Sequence, residues 1–112
     1  MGNDLRTYWK DLEEERPEDV LRVSDPVRPD FLPTAVATLV EELPASPAVF
    51  FENVEGFDHP VIFNLFGTRE RMARAAGATA GTFAERWLNA EAAPIAPVPV
   101  ASGPVQEVIH VG

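Results

Sequence analysis

The chain of 112 residues carries eighteen acidic and nine basic side chains, a net charge of −9, and contains no cysteine. This acidic balance argues against nucleic acid or an anionic membrane as a partner, and the lack of cysteine excludes a disulfide scaffold and a thiolate metal site. The length predicts one modest core with a radius of gyration of about 13 Å. No apolar run approaches the roughly 20 residues of a bilayer span, so we expect a soluble, cytoplasmic protein.

The first predicted element is a helix over residues 4–14, where apolar residues recur at helical spacing. Asp4 or Asn3 can cap its first turn, because both side chains accept hydrogen bonds from free backbone N–H groups. Tyr8 and Trp9 lie on the apolar stripe, and aromatic residues at this spacing are usually buried. We therefore interpret both as core side chains.

A strand, a helix and a second strand are predicted next. Val20–Val23 and Ala48–Phe51 are rich in the β-branched and aromatic residues that fit a pleated sheet. Asp30 is expected to cap the intervening helix, and Pro33 is tolerated in its first turn. The predicted buried stripe of this helix is Leu32, Val36, Leu39, Val40 and Leu43. This order of elements favours a right-handed parallel crossover.

The central stretch predicts a further strand and a further helix. Turn-forming residues at 53–59 precede Val61–Phe63, which indicates a hairpin or an adjacent strand pair. Thr68 is expected to cap a helix that begins at Arg69, and Gly77 is expected to end it in the left-handed conformation. The fold class is therefore α/β, with α+β as the alternative: one small domain with a few-stranded mixed sheet and packed helices.

The next part of the chain predicts a fourth helix followed by a stiff connector. Thr82 and Glu85 have capping-box spacing, so a helix is expected over residues 83–90. Trp87 lies on its apolar face and is interpreted as a packing residue. Residues 92–104 contain four prolines, which predict an extended arm.

The last residues are interpreted as a docking arm. The apolar stretch 105–111 predicts a strand, and a strand at a terminus must pair with another segment to be stable. We expect a body over residues 1–93 and a connector with a terminal strand over 94–112, in a domain of a longer protein or one subunit of a split protein. The candidate docking residues are Val105, Val108, Ile109 and Val111.

Several polar residues are candidates for catalysis. An acid, a base and a carboxylate clamp could be assembled from Glu52, Glu55 and Arg69 or Arg71, and His59 is a candidate base. Structural roles are favoured for all of them, because exposed charges at helical spacing are common and a single histidine in a turn is usually structural. No histidine spacing indicates a zinc site, and we assign no catalytic, cofactor-binding or metal residue.

An anion site is the best-supported alternative to purely structural roles. A loop that enters a helix offers free N–H groups and the positive end of the helix dipole, and both favour negative charge. The same arginines could instead pair with carboxylates of an adjoining domain or subunit. The candidate docking or anion-contact face is Asn64, Gly67, Thr68, Arg69 and Arg71.

The central block also resembles a known family. Residues 51–71 have the sequence FENVEGFDHPVIFNLFGTRER and are followed by Gly77. This block resembles the N-terminal domain of the UbiD-like, prenylated-flavin-dependent decarboxylases, and residues 4–6 and 105–112 look like the edges of that domain. Its many specified positions in one order make the resemblance far more specific than a short motif.

The resemblance implies an enzyme that adds or removes carbon dioxide on aromatic, heteroaromatic or α,β-unsaturated acids. Such enzymes use prenylated FMN, held with a divalent metal (Mn or Mg) and potassium, and the flavin performs the electronic work. In the family the flavin, metal and catalytic residues lie downstream of this domain. The chain is thus expected to be a non-catalytic N-terminal domain or small subunit that binds no cofactor alone. It would act with a cofactor-bearing remainder in an oligomeric enzyme. The alternative is a stand-alone acidic interaction module.

Overall fold

A computed structural model describes residues 4–108 and 110–111 of the chain. In chain order, these residues form α1 (Leu5–Glu15), β1 (Val20–Val23), α2 (Leu32–Glu41), β2 (Ala48–Phe51), β3 (Val61–Phe63), α3 (Arg69–Ala75) and α4 (Phe83–Ala92). Short 3₁₀ turns lie at Pro17–Asp19 and Pro104–Gln106. None of the described helices is long and apolar enough to cross a membrane.

The three strands form one mixed sheet in the order β1–β2–β3. β1 and β2 are parallel, with Val20 opposite Ala48, whereas β2 and β3 are antiparallel, with Phe51 opposite Val61. Parallel neighbours require a long connection, and α2 lies within it. The predicted α/β fold, the parallel pairing of β1 and β2 across α2 and the adjacent strand pair are therefore confirmed.

One face of the sheet carries the main hydrophobic core. Val49 and Phe51 of β2 are fully buried and cluster with Val40 of α2. Val27 and Val54, which form an isolated parallel bridge, complete this cluster. Because each buried side chain of this size contributes about 1.5–3 kcal/mol, the cluster supplies much of the stabilisation of the sheet.

Helix α1 covers part of the opposite face of the sheet. Its residues Tyr8, Trp9 and Leu12 are buried, and the ring centroids of Trp9 and Phe50 lie 5.1 Å apart. The carboxylate of Asp4 accepts hydrogen bonds from two backbone N–H groups of the first turn. The predicted core roles of Tyr8 and Trp9 and the predicted Asp4 cap are confirmed.

The beginning of α2 differs from the prediction. Phe31, rather than Asp30, occupies the N-cap position, with a φ of 63°, and no described side chain caps the helix. Pro33 lies in the first turn, where its missing N–H needs no partner. The predicted Asp30 cap is therefore wrong.

The buried face of α2 is also rotated from the predicted stripe. Pro33, Ala37 and Val40 are buried, and Val36 packs partly against the core. The prediction is correct for Val36 and Val40 and wrong for three exposed leucines, Leu32, Leu39 and Leu43. Apolar residues surround much of this helix, and a small sheet can cover only one of its sides.

Helix α4 begins at Phe83, as predicted, but its capping and its packing differ from the prediction. The hydroxyl of Thr82 makes no cap to α4 and instead accepts a hydrogen bond from the N–H of Thr79 at 3.0 Å. None of the ten residues of α4 is buried, and the side chain of Trp87 is 57% exposed. The predicted capping box and the interpretation of Trp87 as a packing residue are therefore wrong.

The described part of the C-terminal arm contains no strand. Residues 93–103 contain no helix or strand, and a 3₁₀ turn follows at Pro104–Gln106. Within the described part of 105–111 no strand is formed. Ile109 lies outside the described residues. The radius of gyration, 17.4 Å, exceeds the predicted value because α4 and the arm bury no residue against the core.

Candidate functional site

The predicted docking or anion-contact face lies at the junction between β3 and α3. The hydroxyl of Thr68 accepts a hydrogen bond from the N–H of Arg71 at 3.2 Å, and the N–H of Gly67 donates to the carbonyl of Asn64 at 3.1 Å. Gly77, with a φ of 66°, follows the end of α3. The structure thus confirms the predicted start and end of α3 and brings the candidate residues together.

Arg71 points into the protein rather than toward a ligand. Its side chain is only 1% exposed, although the charge pattern of α3 predicted a surface position. Its guanidinium donates to four different backbone carbonyls, those of Leu65 (3.0 Å), Ala45 (3.2 Å), Ser46 (2.6 Å) and Asn64 (3.0 Å). Burial lowers the pKa of Arg71, and the nearby Asp19 carboxylate opposes this effect. The prediction that Arg71 is an exposed contact for an anion or a partner is therefore wrong.

Asn64 and Gly67 also have internal structural roles. The Asn64 amide donates to the Ser46 carbonyl and to the Pro47 carbonyl, both at 3.0 Å. A Cβ added to Gly67 would lie 1.9 Å from the Asn64 side-chain oxygen, so only glycine fits there without a shift. Together with Arg71, these residues hold the loop before β2 against the loop before α3.

Arg69 is the member of the predicted face that remains available to an external group. It is exposed, and it has no ion-pair partner among the described residues. A single exposed arginine at the start of a helix of seven residues is a weak anion site. Of the two arginines in the predicted anion-contact face, only Arg69 is therefore exposed, next to the loop before α3.

A buried acidic residue that sequence reasoning missed lies beside Arg71. The carboxylate of Asp19 is 3.9 Å from the Arg71 guanidinium and 3.6 Å from that of Arg16. Both Asp19 and Arg71 are buried. A cleft of about 230 Å³ at this point is lined by charges of both signs, Arg16, Asp19, Glu70, Arg71 and Arg74. The three arginines face two carboxylates here, and Arg16 and Arg74 also pair with Glu18 and Glu15, so their charges are already used in internal ion pairs.

The candidate acid, base and clamp are not brought together. Glu52 pairs with Arg22 at 2.7 Å, and Arg22 also binds Glu13 at 2.6 Å while its guanidinium stacks over Phe50. Hydrogen bonds from Ser24 and then Arg22 lower the pKa of Glu52, so this carboxyl is ionised near neutral pH. The favoured structural interpretation of these charges agrees with this geometry.

His59 lies on an open groove rather than in an enclosed site. It is exposed, and its ring meets that of Phe57 edge to face at 5.7 Å. The groove, of about 690 Å³, is lined mostly by apolar side chains, including Trp9, Phe50 and Ile62. No group of three His, Asp or Glu side chains that could hold a metal ion occurs among the described residues. The groove therefore lacks a converging set of catalytic groups.

An uncovered apolar region lies after residue 82. Trp87 and Leu88 of α4 are exposed, and so are Ile95 and Val98 of the arm. Three of the four predicted docking residues, Val105, Val108 and Val111, are exposed, and Ile109 lies outside the described residues. The sequence predicted the exposed residues at the end of this region. It did not predict that α4 is also exposed, although Phe83, Trp87 and Leu88 marked an apolar face.

The fold and the site define a small α/β domain in which the candidate catalytic groups do not converge. The family model of the 3-octaprenyl-4-hydroxybenzoate carboxy-lyase N-terminal domain matches residues 12–91. The chain belongs to this family, the N-terminal domain of UbiD-like enzymes, and the resemblance seen in the sequence is confirmed.

Solved structures of whole enzymes contain a similar domain. An evolved dimeric form of the UbiD-class enzyme HmfF from Pelotomaculum thermopropionicum, in complex with prFMN, matches with a TM-score of 0.70 and 27% identity over 85% of this chain and 21% of that chain. Vanillic acid decarboxylase from Sedimentibacter hydroxybenzoicus, in its open form, matches with a TM-score of 0.64 and 27% identity over 81% of this chain and 19% of that chain.

A relative from Aquifex aeolicus, described as an uncharacterized protein, is 36% identical over 75 residues, or 66% of this chain and 15% of that protein. The chain therefore spans only 15–21% of the length of these relatives.

The residues of this chain do not fit a flavin phosphate or its metal ion. The buried Arg71 binds backbone carbonyls, and the loop before α3 lacks the glycine pattern of a phosphate-binding loop. Near Arg71, Asp19 and Glu70 face three arginines, of which Arg16 and Arg74 also pair with Glu18 and Glu15. No step of flavin chemistry is therefore assigned to this chain.

Proposed function

We propose that this chain is the N-terminal domain or small subunit of a UbiD-like prenylated-flavin decarboxylase that acts on aromatic, heteroaromatic or α,β-unsaturated carboxylic acids. In this proposal the body, residues 1–93, is structural and helps to form the substrate cleft. The arm, residues 94–112, docks on the cofactor-bearing part of the enzyme, which is an oligomer. The match of the family model to residues 12–91 carries the proposal.

The chain is expected to be inactive alone. Glu52 is paired with Arg22, and the donors of Arg71 bind backbone carbonyls, so neither is poised to bind or protonate an acid. The two solved relatives are each about five times longer than the matched region, since it covers 19% and 21% of their chains. We therefore assign prenylated FMN, its divalent metal and potassium to the remainder of the enzyme.

Reconstitution tests this proposal. The 112-residue chain would be co-expressed with the flavin-bearing UbiD-like polypeptide from the same genome, encoded either as a continuation or as a companion reading frame. Decarboxylation of a panel of aromatic and α,β-unsaturated acids would be measured for each chain alone and for both together. We expect a stable complex and turnover only when both are present. Turnover by the 112-residue chain with prenylated FMN, or failure of the two chains to associate, would contradict the proposal.

The alternative, a stand-alone acidic interaction module, is consistent with the net charge of −9. Such a module would be expected to pair its terminal segment internally. In the described part of 105–111 no strand is formed, and Val105 and Val108 are exposed. These observations favour the subunit over the module.

A further inference from the structure

Helix α4 has an apolar face that the described part of the chain leaves largely uncovered, with Phe83 half-buried and Trp87 and Leu88 exposed. Phe83 and Trp87 are one turn apart, with ring centroids at 6.1 Å, and Leu88 lies beside them. The exposed fractions are 57% for Trp87 and 64% for Leu88. The polar residues Glu85, Arg86 and Asn89 occupy the other side of the helix, whereas Glu91, one turn after Trp87, lies at the C-terminal end of the apolar face. An amphipathic helix of this kind normally packs its apolar face against another surface.

The helix also lacks the internal support that would explain its stability. It has ten residues, no side-chain cap and no buried residue. Isolated helices shorter than about 12–15 residues are marginal in water, so α4 requires packing to be stable. Its side chains make one described hydrogen bond to the rest of the body, from Arg86 Nε to the Ala76 carbonyl at 3.3 Å.

A second uncovered apolar stretch follows in the arm, after Glu91. Residues 92–106 contain no charged side chain, although 24% of the whole chain is charged. Ile95 is 95% exposed, and Val98 and Val100 are also exposed. The prolines keep this stretch extended and reduce the entropy lost on binding. A partner surface for this segment must therefore be apolar and elongated.

We propose that the Phe83–Trp87–Leu88 face and residues 92–106 form one docking surface, called the α4–arm surface, for an apolar groove on the flavin-bearing remainder of the enzyme. This inference rests on the proposed function and deepens it, because it places the principal contact on α4 rather than on Arg69 or the last residues. Trp87 is the expected anchor, since large aromatic side chains in the centre of an interface contribute most to affinity.

Two observations favour the remainder of the enzyme over a second copy of this chain. The matched domain covers only 19–21% of the solved relatives, so a much larger body adjoins it in those proteins. Two copies, each with a net charge of −9, would repel one another, and α4 itself adds two acidic residues and one basic residue. A homodimer through α4 is thus disfavoured.

Binding of variants to the co-expressed flavin-bearing polypeptide tests the surface. Trp87→Ala and Leu88→Asp are expected to weaken binding at least about 10-fold, because each removes a central apolar contact. Leu39→Asp is the matched control: Leu39 on α2 is 68% exposed, close to the 64% of Leu88, and this substitution introduces the same charge outside the surface. Binding of this control is expected to change less than about 2-fold.

Tryptophan fluorescence supplies an independent measurement. The chain has two tryptophans, of which Trp9 is 6% exposed and Trp87 is 57% exposed. Association should shift the emission of Trp87 to shorter wavelength, and the shift should be absent in Trp87→Phe. A partner polypeptide whose own tryptophans are replaced by phenylalanine keeps the signal specific.

The outcomes separate this inference from the proposed function. A complex that forms normally with Trp87→Ala and Leu88→Asp would overturn the α4–arm surface and leave the proposed function standing. Absence of any complex with the unmodified chain would overturn both. A homodimer that dissociates in Trp87→Ala would also overturn the inference. The thermal transition of the body should be the same in all variants, and a large decrease for Trp87→Ala would show that α4 packs internally.

Discussion

The guanidinium of Arg71 donates from Nη2 to the backbone carbonyl of Ser46 at 2.6 Å, across 25 residues of sequence. Ser46 itself has a φ of 40°, and it also accepts a hydrogen bond from Asn64. This contact closes the loop before β2 onto the loop before α3. A charged side chain thus performs a structural task that hydrophobic packing cannot, because it satisfies several buried carbonyls at once.

Replacement of Arg71 by alanine is expected to lower the free energy of unfolding by about 3–5 kcal/mol, because it strands buried carbonyls and the buried Asp19 carboxylate. Arg71→Lys should recover only part of this loss, since lysine lacks the planar fork of donors. Urea denaturation would measure both effects. The exposed Arg69→Ala should change stability by less than about 0.5 kcal/mol. Equal effects at the two positions would contradict the structural role of Arg71.

Replacement of Gly67 by alanine is expected to destabilise the fold by about 1–3 kcal/mol, since the new Cβ would displace the Asn64 side chain from its backbone partners. The added atom would lie 1.9 Å from the Asn64 oxygen. Gly81→Ala is the control, because the nearest atom to its added Cβ is 4.0 Å away. Thermal denaturation would compare the two. A Gly67→Ala protein as stable as Gly81→Ala would show that Asn64 moves at no cost.

Two threonines that precede helices should respond differently to alanine. Thr68 accepts a hydrogen bond from the third residue of α3, so Thr68→Ala should cost about 1 kcal/mol, the usual value for a lost cap. Thr82 makes no such bond to α4, so Thr82→Ala should have a smaller effect on global unfolding. Chemical denaturation followed by circular dichroism measures both. A larger effect for Thr82→Ala would show that α4 contributes to the body.

The cap at Asp4 predicts a dependence of stability on pH. Hydrogen bonds, chiefly from the Thr7 backbone N–H, lower the pKa of Asp4 below its ordinary value of 3.8. A carboxyl whose pKa is lower in the folded state stabilises the fold above its ordinary pKa, and this contribution disappears as the pH falls through the folded pKa. Asp4→Asn keeps the shape of the cap without the charge. The difference in melting temperature between wild type and this variant should therefore shrink below pH 3.8.

A second variant checks the cause of this pH dependence. The Thr7 hydroxyl donates to Asp4 Oδ2 at 2.8 Å. Thr7→Val removes this donor, so the pH at which the Asp4 contribution is lost should move upward. An unchanged pH profile in Thr7→Val, or a constant difference between wild type and Asp4→Asn at every pH, would contradict this account of the cap.

Local signals explain why most elements could be predicted. Asp4 and Thr68 are good cap residues, Gly77 permits a left-handed conformation, and Ala48–Phe51 suits a pleated sheet. These preferences act within a few residues of the chain, so they are visible without tertiary structure. The failures at Asp30 and at the Thr82 cap occurred where a neighbouring turn offered the backbone another conformation.

The candidate site could be located but its use could not be predicted. The loop at residues 64–68 and the start of α3 at Arg69 were predicted from the sequence. Arg71, however, looked like one of several surface charges on α3. Its partners Ala45 and Ser46 lie 26 and 25 residues away, and no periodicity in the sequence reports such a contact. The burial of Asp19 was equally invisible in the sequence, because this residue lies in a charged segment.

The sequence by itself determined the order of helices and strands, the mixed sheet and the family, because these depend on local propensities and on the block at residues 51–71. Only the tertiary structure decided that Arg71 faces inward and that the apolar face of α4 is uncovered. Burial depends on which surfaces meet in space, and among the described residues none covers Trp87 or Leu88.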